Sequence, residues 1–287
     1  MKIQEQAPAK INLALNILGR RTDGYHELRM VMQSVSLCDT VTVEETGIGF
    51  TLLADGFTVP AGKSPLEQQA AEAFFAAVGR PMPPLTVHLE KTTPAYAGLG
   101  GGSADVAALL RCLRRQYAPE MPVEQLRAIG LTVGSDMPFC VSGGTALAEG
   151  RGERLTALPA LPDCWIVLCK PEFGIPTPAL FTLADAGTPK NRPDIDGMIR
   201  ALSAGDLDGV VAQLCNVFEE FLPEEYHEVF HIKNRLLELG ALNAAMSGSG
   251  PTVFGIFREE TAAKAAETAL KQRYPQTYLA KPVGELV

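Results

Sequence analysis

The sequence predicts an α+β fold in two domains, residues 1–155 and 156–287, and three observations predict it. Residues 10–17 alternate apolar Ile11, Leu13, Leu15 and Ile17 with Lys10, Asn12, Ala14 and Asn16, the period of a half-buried strand. A glycine-rich turn, Pro94 to Ser103, runs into an alanine- and leucine-rich segment with helical spacing. Pro159, Pro162, Pro171, Pro176 and Pro178 punctuate the chain on both sides of the apolar run Trp165 to Cys169, which puts a boundary near residue 155. At 287 residues, 46% of them hydrophobic, the chain can fill one large core or two ordinary ones, and two are expected.

Taken in order, the opening strand places Lys10 and Asn12 on one face. GRRTDGYH is turn chemistry, with Asp23-Gly24 as a hairpin pair, and β-type residues resume through MVMQSVSLCDTVTVEE. Ser64 to Val78 reads as a helix after a Pro/Gly-rich loop, and Leu85, Val87 and Leu89 alternate with Thr86, His88 and Glu90 as a strand. The helix after the glycine turn carries basic residues at its C-terminal end, where the dipole favours them. A further helix and loop hold Gly134-Ser135-Asp136. Beyond the boundary the spacing predicts helices at 194–203, 206–221 and 223–239, strands at 242–246 and 251–257, a helix at 259–273 and a final strand. No internal repeat or low-complexity tract is present.

Composition excludes several roles. With 25 basic and 33 acidic residues, net −8, the global field repels nucleic acid and anionic membrane, so an anionic ligand must be captured locally. The six cysteines have no C-x-x-C pair and read as reduced thiols of a cytosolic protein. MKIQEQAPAK has no apolar signal core, and no stretch approaches the roughly 20 apolar residues of a membrane span. Neither a nucleic-acid nor a membrane partner is expected.

Gly98, Gly100, Gly101 and Gly102 let the backbone approach a ligand, and the helix that follows adds unpaired N–H groups and the positive end of its dipole, which suits a di- or triphosphate. An unliganded surface loop is the plain alternative. The dinucleotide fingerprint fails, since Gly98-x-Gly100-x-x-Ser103 lacks the third glycine and does not directly follow a strand. GFTVPAGKS at 56–64 resembles a Walker A loop but has five residues, not four, between Gly56 and Gly62, and reads as an ordinary loop. His227-Glu228-Val229-Phe230-His231 is a literal H-E-x-x-H, a remote zinc-peptidase reading with no convincing third ligand.

Three ordered motifs, PAKINLALNILGRRTDGYHEL, PAYAGLGGGSAD and NAAMSGSGPTVFGIF, resemble those of the GHMP kinases, and GSDMPFC with EGRGERL extends the likeness over about residues 7 to 257. The resemblance implies the two-domain GHMP architecture, with an N-terminal mixed α/β nucleotide-binding domain and a ferredoxin-like C-terminal domain. It also implies ATP and Mg²⁺ as cofactors and phosphorylation of the 2-hydroxyl of a small-molecule substrate, cytidine diphosphate methylerythritol, by a monomer or homodimer. Another small alcohol such as homoserine is the alternative acceptor.

Residue by residue, the resemblance makes Lys10 and Asp136 catalytic. It assigns Pro94, Ala95, Tyr96, Ala97, Gly98, Leu99, Gly100, Gly101, Gly102, Ser103 and Ala104 to ATP, with the Ser103 hydroxyl on phosphate or Mg²⁺. Tyr25 and Phe181 stack on the two faces of the cytosine and His26 bonds its edge. Asn12, Thr177, Ser247 and Gly248 line the substrate, and no protein metal site is implied. Asp136 as a helix cap, Lys10 as a solvated strand lysine and the aromatics as ordinary packing are the plain readings. Lys91 reads equally as a nucleotide contact or a strand-end lysine. The chain departs from the family pattern at Ser64-Pro65-Leu66, where an adenine-contacting Asn is usual, and at Tyr96, where small residues are common.

Overall fold

The computed structural model of the chain describes residues 2–54 and 64–287; the Walker-like segment falls outside them except for Ser64. A strand pair opens the chain: β1 (Lys2–Arg20) and β2 (His26–Glu44) are antiparallel, closed by a turn in which the Arg21 amide bonds the Tyr25 carbonyl at 2.7 Å. Register shifts fall between Pro8 and Lys10 and between Asn12 and Ala14, so irregularities flank both polar side chains; such bulges re-aim side chains near functional sites. The expectation of a half-buried strand is corrected. Residues 7–16 are almost wholly buried on both faces, because the glycine turn and a C-terminal loop cover the face carrying Lys10 and Asn12.

The first sheet has seven strands. β3 (Phe50–Ala54) and β4 (Leu85–Glu90) lie beyond one part of β2, while β5 (Thr145–Gly150) pairs another part of β2 and then β6 (Arg154–Ala157). Helices α1 (Leu66–Val78), α2 (Gly101–Tyr117), α3 (Val123–Leu131) and α4 (Met137–Ser142) complete this half. Phe74, Phe139, Leu109 and Leu110 are fully enclosed in its core. The sheet runs through residue 157, so the expected boundary at 155 falls inside β6.

The second sheet is antiparallel, in the order β11–β7–β10–β9: β7 (Trp165–Cys169), β9 (Asn243–Met246), β10 (Val253–Phe257) and β11 (Thr277–Ala280). That order, with helices between its first and second and its third and fourth strands, is the ferredoxin-like arrangement. Its helices include α5 (Thr177–Asp185), α6 (Ile195–Ala204), α8 (Glu228–Glu238) and α9 (Glu260–Lys271).

The helix predicted at 206–221 does not form. It divides into α7 (Leu207–Ala212), a two-residue strand β8 (Cys215–Asn216) and a 3₁₀ turn (Val217–Phe221). β8 pairs parallel with Ala14 and Leu15 of β1, so tertiary pairing overrides the local helical spacing. The predicted 223–239 helix likewise begins as a 3₁₀ turn (Glu224–Tyr226) and is α-helical only from Glu228.

Candidate active site

Three segments distant in sequence meet at one point: β1 at Lys10, the glycine loop and the turn at Ser247–Pro251. Gly100 opens α2 at φ +68°, and the amides from Gly98 to Ser103 make no backbone hydrogen bond among the described residues, as expected of a helix N-terminus. The opposite side of this loop is held firmly. Its Gly98 carbonyl accepts from the Ser247 hydroxyl at 2.9 Å, and its Ala97 carbonyl accepts from the Thr252 amide at 3.3 Å. Gly98 lies at φ +74°, and a Cβ there would overlap the Ser247 carbonyl oxygen. The Ser247–Pro251 turn, with its cis Gly250–Pro251 bond, thus packs backbone to backbone against the glycine loop.

Lys10 is buried beneath this junction. Its amide bonds the Leu99 carbonyl at 2.9 Å and its Nζ donates to Asn12 Oδ1 at 2.7 Å. A Cβ on Gly100 would stand 3.0 Å from Lys10 Cγ, and one on Gly248 3.1 Å from Lys10 Nζ. The ammonium therefore lies between the phosphate-type loop and the C-terminal turn. Buried charge needs a partner, and a single amide oxygen leaves its other two donors free for a ligand.

Asp136 holds the N-cap position of α4 without capping it: no side-chain cap bond forms, and its carboxylate has no hydrogen-bond partner among the described residues. It faces the 150–153 turn, where a Cβ on Gly152 would lie 3.8 Å from Oδ1 and 2.9 Å from the Met30 methyl. Met30 Sδ in turn contacts Asn12 Nδ2 at 3.1 Å. Met30 thus lies between Asn12 and the 150–153 turn that Asp136 faces, and Lys10 and Asp136 form no direct ion pair.

Two of the residues expected at the base lie against each other. His26 stacks on Phe181 with centroids 4.4 Å apart and planes at 18°, and its Nε2 is bound by Asp185 Oδ1 at 2.6 Å; Phe181 also packs edge-on against Phe218. Tyr25 is 52% exposed, with the Arg151 guanidinium 4.5 Å over its ring. Burying one ring face against another is favourable, and it groups His26, Phe181 and Phe218 in one aromatic cluster with Tyr25 outside it. Thr177 bonds the Ser249 hydroxyl at 2.7 Å.

One residue of this region, Asn216, escaped the sequence. Buried Asn216 donates to the Met246 and Gly248 carbonyls, both at 2.8 Å, and so anchors the C-terminal turn; its segment reads as helix and carried no signal. Lys91 is no solvated strand end: it ion-pairs Asp39 and Asp105, whose helix is α2. Asp39 also accepts from the Thr92 and Thr93 amides at 2.6 and 2.7 Å, tying β2, β4 and α2 together under the loop.

The H-E-x-x-H segment is committed to packing. Glu228 is held by the Tyr274 hydroxyl, Arg273 and His231, and the Tyr274 bond holds its carboxyl below the usual carboxylate range. No cluster of metal-ligating side chains occurs among the described residues, and none of their helices is long and apolar enough to cross a membrane.

Two family models match, GHMP kinases N terminal domain over residues 66–144 and GHMP kinases C terminal over residues 198–276. The chain is 42% identical over 278 residues to a curated 4-diphosphocytidyl-2-C-methyl-D-erythritol kinase of Moorella thermoacetica, covering 96% of this chain and 97% of that one. It is 39% identical to the enzyme of the same name from Listeria monocytogenes, covering 99% and 97%. A crystal structure of 4-(cytidine 5'-diphospho)-2C-methyl-D-erythritol kinase superposes at a TM-score of 0.82 with 32% identity, covering 98% of this chain and all of that one. A homoserine kinase from Cytophaga hutchinsonii, at TM-score 0.75 and 17% identity, shares the fold.

Proposed function

Because the chain belongs to the GHMP kinases, which are ATP-dependent phosphotransferases, we propose that it transfers the γ-phosphoryl group of ATP to the 2-hydroxyl of 4-diphosphocytidyl-2-C-methyl-D-erythritol, a step in non-mevalonate isoprenoid precursor synthesis. The observation that supports this reading is the buried Lys10 ammonium set between the glycine loop, whose amides are free among the described residues, and the Ser247–Gly248 turn, in a chain 42% identical over 278 residues to a kinase of that name.

Phosphoryl transfer is mostly positioning and charge stabilisation. The amides from Gly98 to Ser103 and the α2 dipole cradle the β- and γ-phosphates. Lys10, with two donors free, neutralises charge at the far end of the triphosphate and draws the acceptor oxygen toward it. Asp136 accepts the hydroxyl proton as the new bond forms. Asn12 orients Lys10, and the Ser247–Gly248 backbone shapes the pocket between them.

Mg²⁺ demands octahedral oxygen donors and takes most of them from phosphate and water, needing few from protein. The donor set fits that mode: Ser103, partly exposed in the first turn of α2, would hold the ion together with the nucleotide, and its charge would offset that of the transferring group.

For the base, exposed Tyr25 supplies a stacking surface, and His26, whose Nε2 is taken by Asp185, keeps its other ring nitrogen for a pyrimidine edge. Opening of the His26–Phe181 stack would admit the base against Phe181. Thr177 adds a hydroxyl at the start of α5.

The test is a coupled ADP-release assay with cytidine diphosphate methylerythritol, homoserine and mevalonate as acceptors. Turnover is expected with the first; turnover with homoserine or mevalonate alone overturns the substrate assignment.

A further inference from the structure

The 150–153 turn between β5 and β6 touches both ends of the site in consecutive residues. Arg151 lies over Tyr25 at 4.5 Å, and Gly152 lies against Asp136, 3.8 Å from its carboxylate oxygen by the Cβ measure. The turn is well fixed: the Arg151 amide donates to Glu153 Oε2 at 2.5 Å and the Gly152 amide to the Glu149 carbonyl at 3.1 Å.

The guanidinium of Arg151 forms no hydrogen bond and no ion pair among the described residues. Its neighbours are committed. Arg21 binds Asp23 at 3.1 Å and Glu27 at 2.5 Å, Arg154 binds Glu27 at 2.6 Å, and Arg29 binds Asp196 at 2.6 Å. A guanidinium resting on an aromatic ring uses its face and keeps its in-plane donors, the fork that matches phosphate oxygens. In a chain of net charge −8, an uncommitted arginine at the edge of a site is a local anion trap.

Resting on the substrate reading above, a ligand with its base at Tyr25 and its reacting hydroxyl at Asp136 must run its diphosphate past this turn. We propose that Arg151 is a specificity-determining residue that clamps the diphosphate joining the base to the polyol. It touches no reacting atom, so its contribution is to binding.

The test compares the parent, Arg151→Ala and Arg151→Lys. For Arg151→Ala the KM for cytidine diphosphate methylerythritol is expected to rise about 10- to 100-fold, the loss of one or two charge-assisted hydrogen bonds, with kcat within about twofold. The lysine variant, which keeps the charge without the fork, falls between them. Inhibition by cytidine diphosphate weakens by a similar factor in Arg151→Ala, while inhibition by cytidine, which has no phosphate, is unchanged. An unchanged KM, or equal weakening of cytidine and cytidine diphosphate, overturns the proposal, the latter because it reports loss of the Tyr25 contact alone. The parent's own acceptor preference decides the substrate reading separately. A parent that turns over homoserine only and does not bind cytidine diphosphate sinks both.

Discussion

Asp136 sits where a helix cap sits and does not cap. That geometry separates its two readings: a capping aspartate would lose about 1 kcal/mol on substitution, whereas this carboxylate makes no cap bond and has no hydrogen bond among the described residues to lose. Asp136→Asn is therefore expected to leave the melting temperature unchanged while turnover falls by at least about a hundredfold, a usual loss for a missing general base. Asp105 behaves in the opposite way. Burial, only partly opposed by Lys91 and reinforced by Asp39, pushes its carboxyl up to about 7. The folded chain then holds that proton more tightly than the unfolded chain does, so the associated stability is present below about pH 4 and is lost as pH rises through about 7. Asp105→Asn, which still accepts from Lys91 but cannot ionise, should gain melting temperature over the parent by a margin that grows across that interval. A margin independent of pH would contradict this.

At the scale of elements, the glycine loop and α2 act as one unit whose free amides face outward because its carbonyls are tied down behind by Ser247 and Thr252. Gly98 is the pivot of that arrangement. Gly98→Ala meets both the left-handed backbone and the Ser247 carbonyl, so about 1–3 kcal/mol of stability is expected to be lost in urea titration, together with a raised KM for ATP. The loop was legible because four glycines before a helix are a local signal, as were the alternation of β1 and the Asp23-Gly24 turn. The short elements were not. Nothing in the local pattern marked β3, α4, β6 or α5, and the 206–221 helix gave way to β8, which pairs with β1 and carries Asn216 to the C-terminal turn.

In the whole molecule the two halves interlock. β8 from the second half adds to the first sheet beside β1, and the C-terminal tail returns to the first half through Val35 with Pro282 and Gly143 with Glu285. The junction of the glycine loop with the Ser247–Pro251 turn is itself built from both halves. A fragment of residues 1–155 would lack β8, the tail and the end of β6, leaving β1 and β5 edges unpaired. It is expected to aggregate or to show no cooperative thermal transition, while the full chain unfolds in one; a soluble fragment with a sharp transition would show the halves to be independent.

By itself the sequence determined the fold class, the family and the glycine turn that opens α2, because strand period, glycine spacing and ordered motifs are written over short stretches of chain. Only the tertiary structure decided that Lys10 is buried against Gly100 and Gly248, that His26 lies on Phe181, that Lys91 is bound by Asp39 and Asp105, and that Arg151 rests on Tyr25 with no hydrogen bond or ion pair from its guanidinium among the described residues. Those outcomes depend on which distant segments compete for one another's charges and ring faces once the core has closed, and no local pattern encodes that competition.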